Sequence, residues 1–303
     1  MRVLIGPSSF ADVDKAPMER LLINGVEVTD NPFKRRLTKM ELFDLLTDDT
    51  VGIIAGLESL DREVLASSSL SVISRVGSGL SNIDLEAARE LGIKVCSTPA
   101  GPTIAVAELT VGTMLSLIRM VPMMDRDLHD NVWRKRIGFQ LEGKTVVIIG
   151  FGRIGKKVAD LLQSFRVNII VVDPFVERDS VDYPILPLTE ALPRADIVTI
   201  HGSGGKCILG KSEFPLLKRG VYLLNAARGG LASESLLMEA LDEGRVAGAW
   251  LDTFGSEPYS GPLSGYKNVI LTPHVGSYTA ECRSQMEGEA VDNILMELGI
   301  VRE

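Results

Sequence analysis

The stretch from Thr145 to Asp173 constrains this chain more than any other. Val146, Val147, Ile148 and Ile149 form a short apolar run rich in β-branched residues, which predicts a buried strand of a parallel sheet. The run ends in Gly150-Phe151-Gly152-Arg153-Ile154-Gly155. A helical pattern follows, with Ile154, Val158, Leu161 and Phe165 on one face. A second apolar run, Ile169 to Val172, closes on Asp173 and Pro174. The order is strand, glycine turn, helix, strand, acid, as in the mononucleotide-binding half of an open α/β sheet.

Each residue type in that order has a physical task. Gly150 permits the tight turn out of the strand, Gly152 lets a pyrophosphate approach the backbone, and Gly155 lets the helix pack close to the strand. Amide groups at the helix start, near Arg153 and Ile154, attract phosphates. Asp173 is placed to accept hydrogen bonds from both hydroxyls of an adenosine ribose. Its charge repels a 2′-phosphate, so NAD is expected over NADP. Three glycines alone mark any tight turn; strand, helix and acid at the expected spacing make this one a dinucleotide site.

The rest of the chain repeats the alternation. Val3–Gly6, Glu27–Val28, Val51–Ile54, Val72–Val76 and Ile93–Cys96 read as strands. Helical patterns fall at Lys15–Leu22, Lys39–Leu46, Asp61–Leu65 and Ile83–Leu91. They predict a small parallel sheet covered on both faces. Thr98-Pro99-Ala100-Gly101-Pro102 is the first linker candidate. Thr103 is placed to cap a long helix, residues 103–121, that is apolar nearly all round. Such a helix is buried on both sides, either by a second subunit or within one chain. Beyond the glycine turn, strands are expected at Ile197–His201, Val221–Asn225, Val246–Leu251 and Val269–Leu271. Helices are expected at Leu188–Leu192, Lys211–Leu217 and Ser233–Glu243. A last amphipathic helix, Ala280–Leu298, is expected to pack back on the first domain. The fold class is therefore α/β with two doubly wound domains: a Rossmann NAD-binding domain, residues 99–278, inserted in a flavodoxin-like substrate domain, residues 1–98 plus 279–303.

Bulk properties narrow the partners. The 303 residues carry 32 Lys and Arg against 40 Asp and Glu, a formal charge of -8. That balance argues against nucleic acid, whose phosphates need clustered cations. Cys96, Cys207 and Cys282 are odd in number and widely spaced, which suggests reduced thiols in a cytoplasm and no metal site. The apolar start, Met1 to Gly6, is too short for a signal peptide. The most apolar stretch, Thr103–Met124, contains Glu108, Arg119 and Pro122, so no membrane span is expected.

Ligands of such sheets lie beyond the carboxyl ends of the strands. Arg228 follows one strand end among small residues, in Asn225-Ala226-Ala227-Arg228-Gly229-Gly230. A guanidinium there is free to bind a carboxylate through two parallel bonds. Asp252 ends the next strand, placed to accept the carboxamide N–H of a nicotinamide, and Glu257 lies in the loop beyond. His274 follows the last strand, in Thr272-Pro273-His274-Val275-Gly276, as an acid/base candidate. Reduction of a 2-keto acid needs a cation for the carboxylate, a proton donor for the alcohol and a nicotinamide hydride. Arg228 and His274 fit the first two, and Glu257 beside the imidazole would favour its protonated form and fix the ring.

At these residues the sequence resembles the D-isomer-specific 2-hydroxyacid dehydrogenase family, which includes phosphoglycerate dehydrogenases. The likeness covers nearly the whole chain. It includes Val76-Gly77-Ser78-Gly79-Leu80-Ser81-Asn82-Ile83-Asp84, Ala107-Glu108-Leu109-Thr110-Val111-Gly112, the glycine turn, and the ordered Arg228, Glu257 and His274 segments. The resemblance implies an NAD-dependent oxidoreductase of small 2-keto/2-hydroxy acids in which Arg228, Glu257 and His274 are catalytic. It implies NAD contacts at Gly150, Gly152, Arg153, Ile154, Gly155, Asp173, Ala226, Ala227 and Asp252. Backbone amides of Ser78 and Gly79, with Arg228, would bind the substrate, and a homodimer would form through the helix at 103–121.

The sequence also departs from the family pattern. Ala55-Gly56-Leu57-Glu58 stands where many phosphoglycerate-binding members place an Arg-Ser pair, and Glu58 would repel a phosphate if it faced the site. Pro102 stands where members often have Asn. The loop His201-Gly202-Ser203-Gly204-Gly205-Lys206 is shorter than usual. Ending at Glu303, the chain is expected to carry no added regulatory domain. Two other functions are weighed. A dinucleotide-sensing corepressor-like protein would bind NADH without turnover. A formate-type dehydrogenase would carry Gln where Glu257 stands.

Overall fold

The computed structural model describes residues 1–177 and 181–301. Arg302 and Glu303, which close the expected first-domain range, lie outside the described residues. The chain divides into two compact units: Met1–Pro102 with the segment from Ser277 onward, and Thr103–Gly276.

The first unit is built from β1 (Arg2–Ile5), α1 (Ala16–Ile23), β2 (Glu27–Thr29), α2 (Lys39–Leu45), β3 (Thr50–Ala55), α3 (Arg62–Ala66), β4 (Val72–Arg75), α4 (Leu85–Glu90) and β5 (Lys94–Ser97), together with the C-terminal helix Ala280–Glu297. Its strands are all parallel, in the order β2-β1-β3-β4-β5. Leu4, Ile53 and Ile73 are register partners, and they pack with Leu42 of α2, Val64 and Leu65 of α3, and Ala87 and Ala88 of α4. The C-terminal helix covers β3 through Gly52: a Cβ there would lie 3.3 Å from Ile294 Cδ1. Helix starts follow capping chemistry. Asp61 and Asp84 accept the amides of Val64 and Ala87, and Thr38 forms a capping box with Glu41; each cap contributes about 1 kcal/mol. The Asp84 cap corrects the expectation of a helix from Ile83, which instead bridges to Leu60.

The second unit holds α5 (Pro102–Ile118, all but its first residue), α6 (Val121–His129), β6 (Thr145–Ile149), α7 (Arg153–Leu162), β7 (Asn168–Val172), α8 (Leu188–Ala191), β8 (Ile197–Ile200), β9 (Val221–Asn225), α9 (Glu234–Asp242), β10 (Val246–Leu251) and β11 (Val269–Leu271). All its pairings are parallel, in the order β11-β10-β9-β8-β6-β7. Alternate residues along each strand serve opposite faces. Val147, Val198, Leu223 and Ala249 meet Leu237 and Ala240 of α9. Val146, Ile197, Leu224 and Trp250 meet Met114 of α5 and Val158 and Leu162 of α7.

Some expectations need correction. The long helix does not run over 103–121. It starts at Pro102, where a missing N–H costs nothing, so Thr103 lies inside it, and it stops at Ile118. Met120 then adopts a φ of +55° before α6 begins. Within the single chain α5 buries Ala107, Val111, Met114 and Ile118 and leaves Ile104 56% exposed. In α7 the fully buried stripe is Gly155, Val158, Ala159 and Leu162, and Ile154, Leu161 and Phe165 of the predicted face pack partly buried against the same core. Between Lys211 and Leu217 only a short 3-10 turn forms, Phe214–Leu216, with Pro215 inside it. Among the described residues no single helix is long and apolar enough to cross a membrane.

Candidate active site

The strand order of the larger sheet reverses between β6 and β8, and the glycine turn lies at the end of β6. Gly150 has a φ of +91°, and a Cβ on it would lie 2.4 Å from the Gly202 amide nitrogen. A Cβ on Gly155 would lie 2.1 Å from the Gly150 carbonyl oxygen. Only glycine fits at either position. Gly152 differs, with nothing within 4 Å of where its Cβ would stand. That open side is the approach a pyrophosphate needs.

α7 starts beside Gly152 with no side-chain cap, so its first amides are left for an anion. Arg153 is exposed there and Ile154 half-buried. Asp173 ends β7. Its Oδ2 accepts the Phe151 N–H at 2.7 Å and its Oδ1 the Phe175 N–H at 2.8 Å. A carboxylate offers about four acceptor positions, so capacity remains for two ribose hydroxyls. Open glycine, uncapped helix start and fixed acid together fit a dinucleotide.

The remaining candidates sit at the ends of β9, β10 and β11. Asn225, buried at the last position of β9, shapes the turn that carries Arg228. Its Nδ2 donates to the Arg228 carbonyl at 2.8 Å, and its Oδ1 accepts the Ala227 N–H at 3.0 Å. Ala226 is half-buried and Ala227 buried. The half-buried Arg228 donates from Nη1 to the Ala227 carbonyl at 2.6 Å. Gly229 follows, and a Cβ on it would overlap the Phe254 carbonyl carbon at 1.9 Å. The β9 and β10 loops therefore touch. Phe254 N–H donates to Glu257 Oε1 at 3.0 Å, and Glu257 Oε2 lies 2.9 Å from His274 Nδ1. Contacts thus run without a break from the Arg228 turn to the imidazole. The His274 and Glu257 side chains are 29% and 26% exposed, enough for a small ligand to reach the ring.

Asp252 is 1% exposed, and its oxygens serve the His274 turn. Oδ1 accepts the Thr272 hydroxyl at 2.6 Å and the Val275 N–H at 2.9 Å, while Oδ2 accepts the Gly276 N–H at 2.8 Å. Thr272 in turn accepts from Trp250 Nε1 at 2.9 Å. His274 itself has a φ of +54°, uncommon for a residue with a Cβ. Asp252 therefore braces the turn that carries His274. The bracing residues Asn225 and Thr272 were not among the sequence candidates. The available signal was a polar residue closing an otherwise apolar strand run.

Two further candidates take unexpected places. Glu58 is buried, and its Oε1 accepts the Gly56 N–H at 2.8 Å. In the short loop, His201 N–H donates to the Ile149 carbonyl at 2.7 Å. Its Nε2 lies 2.9 Å from Thr199 Oγ1, while its buried Nδ1 has no partner among the described residues. Burial pushes this imidazole down to about 4. Ser78 is exposed and Gly79 half-buried, beyond the end of β4. Among the described residues no group of three or more His, Cys, Asp or Glu could hold a metal ion, and the three cysteines are free.

Residues 111–276 match the model for the NAD binding domain of D-isomer specific 2-hydroxyacid dehydrogenases. The chain is 37% identical over 294 residues to D-3-phosphoglycerate dehydrogenase of Sus scrofa, covering 94% of this chain and 54% of that protein. It thus spans about half the length of the phosphoglycerate dehydrogenases it matches first. It is 33% identical to hydroxypyruvate reductase of Thermotoga maritima over 93% of this chain and 94% of that one. A solved protein of Thermus thermophilus superposes with a TM-score of 0.90 at 33% identity, covering 99% of this chain and 97% of that one. The chain belongs to the D-isomer specific 2-hydroxyacid dehydrogenase family.

Proposed function

We propose that this protein is an NAD(H)-dependent oxidoreductase of a small 2-keto/2-hydroxy acid. The observation that carries the reading is the Glu257–His274 pair, 2.9 Å apart at a strand end, reached by unbroken contacts from Arg228. Bound NADH supplies the hydride. Arg228 holds the substrate carboxylate with two charge-assisted bonds and polarises the ketone. Glu257 accepts a hydrogen bond from the Nδ1–H of His274, which fixes the ring, favours the imidazolium and leaves its Nε2–H to deliver a proton to the developing alkoxide. In the reverse direction Nε2 accepts that proton. Asp252 and Thr272 keep the ring in its unusual backbone conformation.

The cofactor reading assigns the pyrophosphate to Gly150, Gly152, Arg153, Ile154 and Gly155, the adenosine ribose to Asp173, and the nicotinamide side to Ala226, Ala227 and Asp252. Ser78 and Gly79 supply amides for the substrate carboxylate. Residues 99–278 then serve as the NAD-binding domain, and 1–98 with 279–303 as the substrate domain. A cytoplasmic homodimer completes the reading. The exposed Ile104 on α5 supports it, together with Trp133 and Ile137, which are 82% and 91% exposed; light scattering on the purified protein tests it.

The chemical test is His274→Ala with NADH and a panel of glyoxylate, hydroxypyruvate, pyruvate and phosphohydroxypyruvate. Turnover is expected to fall by about a hundredfold or more, with NADH affinity nearly unchanged. Unchanged turnover removes His274 from the mechanism. NADH binding with no turnover of any keto acid by the unaltered protein removes the enzyme reading.

A further inference from the structure

The loop after β10 is held at one peptide from both sides. On the carbonyl side, Phe254 packs so closely on the Arg228 turn that a Cβ on Gly229 would lie 1.9 Å from its carbonyl carbon. The N–H of the same peptide, on Gly255, donates to Glu234 Oε1 at 2.8 Å. The preceding amide, Phe254 N–H, donates to Glu257 Oε1, and Glu257 Oε2 lies 2.9 Å from His274 Nδ1. Two consecutive amides are therefore each held by a carboxylate: Glu257, which meets the imidazole, and Glu234, which stands on another element. All of these residues belong to one compact unit, Thr103–Gly276.

Glu234 has a firm support. It is the first residue of α9, whose start is capped by the Ser233 hydroxyl accepting the Leu236 N–H. Ser233 N–H donates to the Leu209 carbonyl at 3.0 Å, and Leu237 and Ala240 bury the helix in the core. An acid at a helix start is favourable by itself, because it faces the positive end of the helix dipole. That accounts for the charge but not for its aim, at a loop amide 21 positions along the chain. The bond is exposed, so water can replace it at small cost in stability. What it fixes is the plane of the peptide next to the amide that holds Glu257. When that plane turns, Phe254 N–H turns with it, and the Glu257 carboxylate loses its anchor.

We propose that Glu234 is a positioning residue for the acid/base pair: through the Gly255 N–H it fixes the loop that presents the Glu257 carboxylate to His274. The proposal rests on the 2-keto acid activity proposed above. Glu234 touches neither substrate nor cofactor. It acts on the proton step, because a Glu257 carboxylate that drifts from Nδ1 favours the imidazolium less and leaves the ring free to turn. The other charged groups of these strand ends are Asp252, which holds the amides of Val275 and Gly276, and Arg228, on the turn that Phe254 touches. Neither bonds to the Gly255 amide, whose partner is Glu234.

The experiment measures kcat, the KM for NADH and the pH profile of kcat/KM in the wild-type protein, Glu234→Ala and Glu234→Gln. The substrate is the acid of the keto-acid panel above that the wild type reduces fastest. Glu234→Ala is expected to lower kcat by about tenfold, the scale of a slightly misplaced catalytic group, with the KM for NADH within about twofold of wild type. Reduction needs the protonated imidazole, so kcat/KM falls as pH rises. In Glu234→Ala that fall is expected about half a pH unit lower or more, because a looser carboxylate holds the proton less firmly. Glu234→Gln, whose amide oxygen still accepts the Gly255 N–H, is expected to keep kcat within about threefold of wild type and the alkaline limit in place. An unchanged kcat and alkaline limit in Glu234→Ala overturn the inference, whether or not its urea midpoint drops, since a helix-start acid alone would alter only stability. A loss in Glu234→Gln as large as in Glu234→Ala overturns it too. Should Glu234→Ala not fold, Glu234→Asp takes its place with the same readings, because it keeps the charge at the start of α9 and falls a methylene short of Gly255. Failure of every keto acid to react with the wild type overturns the proposed function and this inference with it, whereas wild-type turnover that the Glu234 variants leave untouched overturns the inference alone.

Discussion

Replacing Asp252 by Asn tests how the fold holds its acid/base group. The carboxylate takes three hydrogen bonds while almost fully buried. An amide oxygen in the Oδ1 position keeps Thr272 and Val275. The amide nitrogen then faces the Gly276 N–H, donor against donor. One buried amide loses its partner, at about 1–3 kcal/mol, and the remaining two bonds lose their charge assistance. The sum is a destabilisation of roughly 2–4 kcal/mol. The turn it braces holds His274 at a φ of +54°, a conformation that costs about 1–3 kcal/mol and persists only where the surroundings over-determine it. Released, the imidazole shifts, and a displacement on the order of 1 Å costs about a hundredfold in rate. Urea unfolding reads the first effect, and kcat with NADH and hydroxypyruvate the second. An Asp252→Asn variant that loses less than about 0.5 kcal/mol and keeps kcat within about twofold would refute the bracing argument. If Asp252 acts mainly on the nicotinamide instead, the KM for NADH rises while stability holds.

The glycine turn offers a contrast between neighbours. Gly152→Ala has open space and should fold normally while weakening NADH binding about tenfold or more, whereas Gly155→Ala should lower stability by roughly 1–3 kcal/mol because its Cβ meets a backbone oxygen; calorimetry and urea unfolding separate the two. In the first unit, Arg283 pairs with Glu287 at 8% and 1% side-chain exposure. Glu287→Leu should cost about 3–5 kcal/mol by leaving a buried guanidinium unpaired, and recovery in the double variant Glu287→Leu/Arg283→Met checks the cause. His201 sets a pH dependence. Burial lowers its pKa from 6.5 to about 4, so the unfolded chain takes up the proton first. Its contribution is intact above about pH 6.5 and is lost as pH falls toward 4, by at most about 3 kcal/mol. Urea midpoints near pH 7 and pH 5 should converge in His201→Leu.

Much of this was legible in the sequence because apolar runs and glycine turns are local signals. β9, β10 and β11 fall on the predicted residues, and the Arg228, Glu257 and His274 segments sit at strand ends as expected. What the sequence hid depends on contacts distant along the chain. Asp252 reads as an open acid until Val275 and Gly276 are seen to fold back on it. Nothing local to Glu58 shows that its carboxyl is buried beside Gly6, far away in sequence. The stop at Ile118 was invisible because the apolar pattern continues into Val121. The helical reading of Lys211–Leu217 failed because Pro215 removes an amide donor in the middle of the run.

The most direct test of the account is a crystal structure with NADH and oxamate, an unreactive isostere of a 2-keto acid. The account predicts that Arg228 grips the oxamate carboxylate and His274 Nε2 lies within hydrogen-bond distance of its carbonyl oxygen. It also predicts the pyrophosphate over Gly152. Oxamate bound with neither side chain touching it, or a cofactor away from the glycine turn, would contradict it.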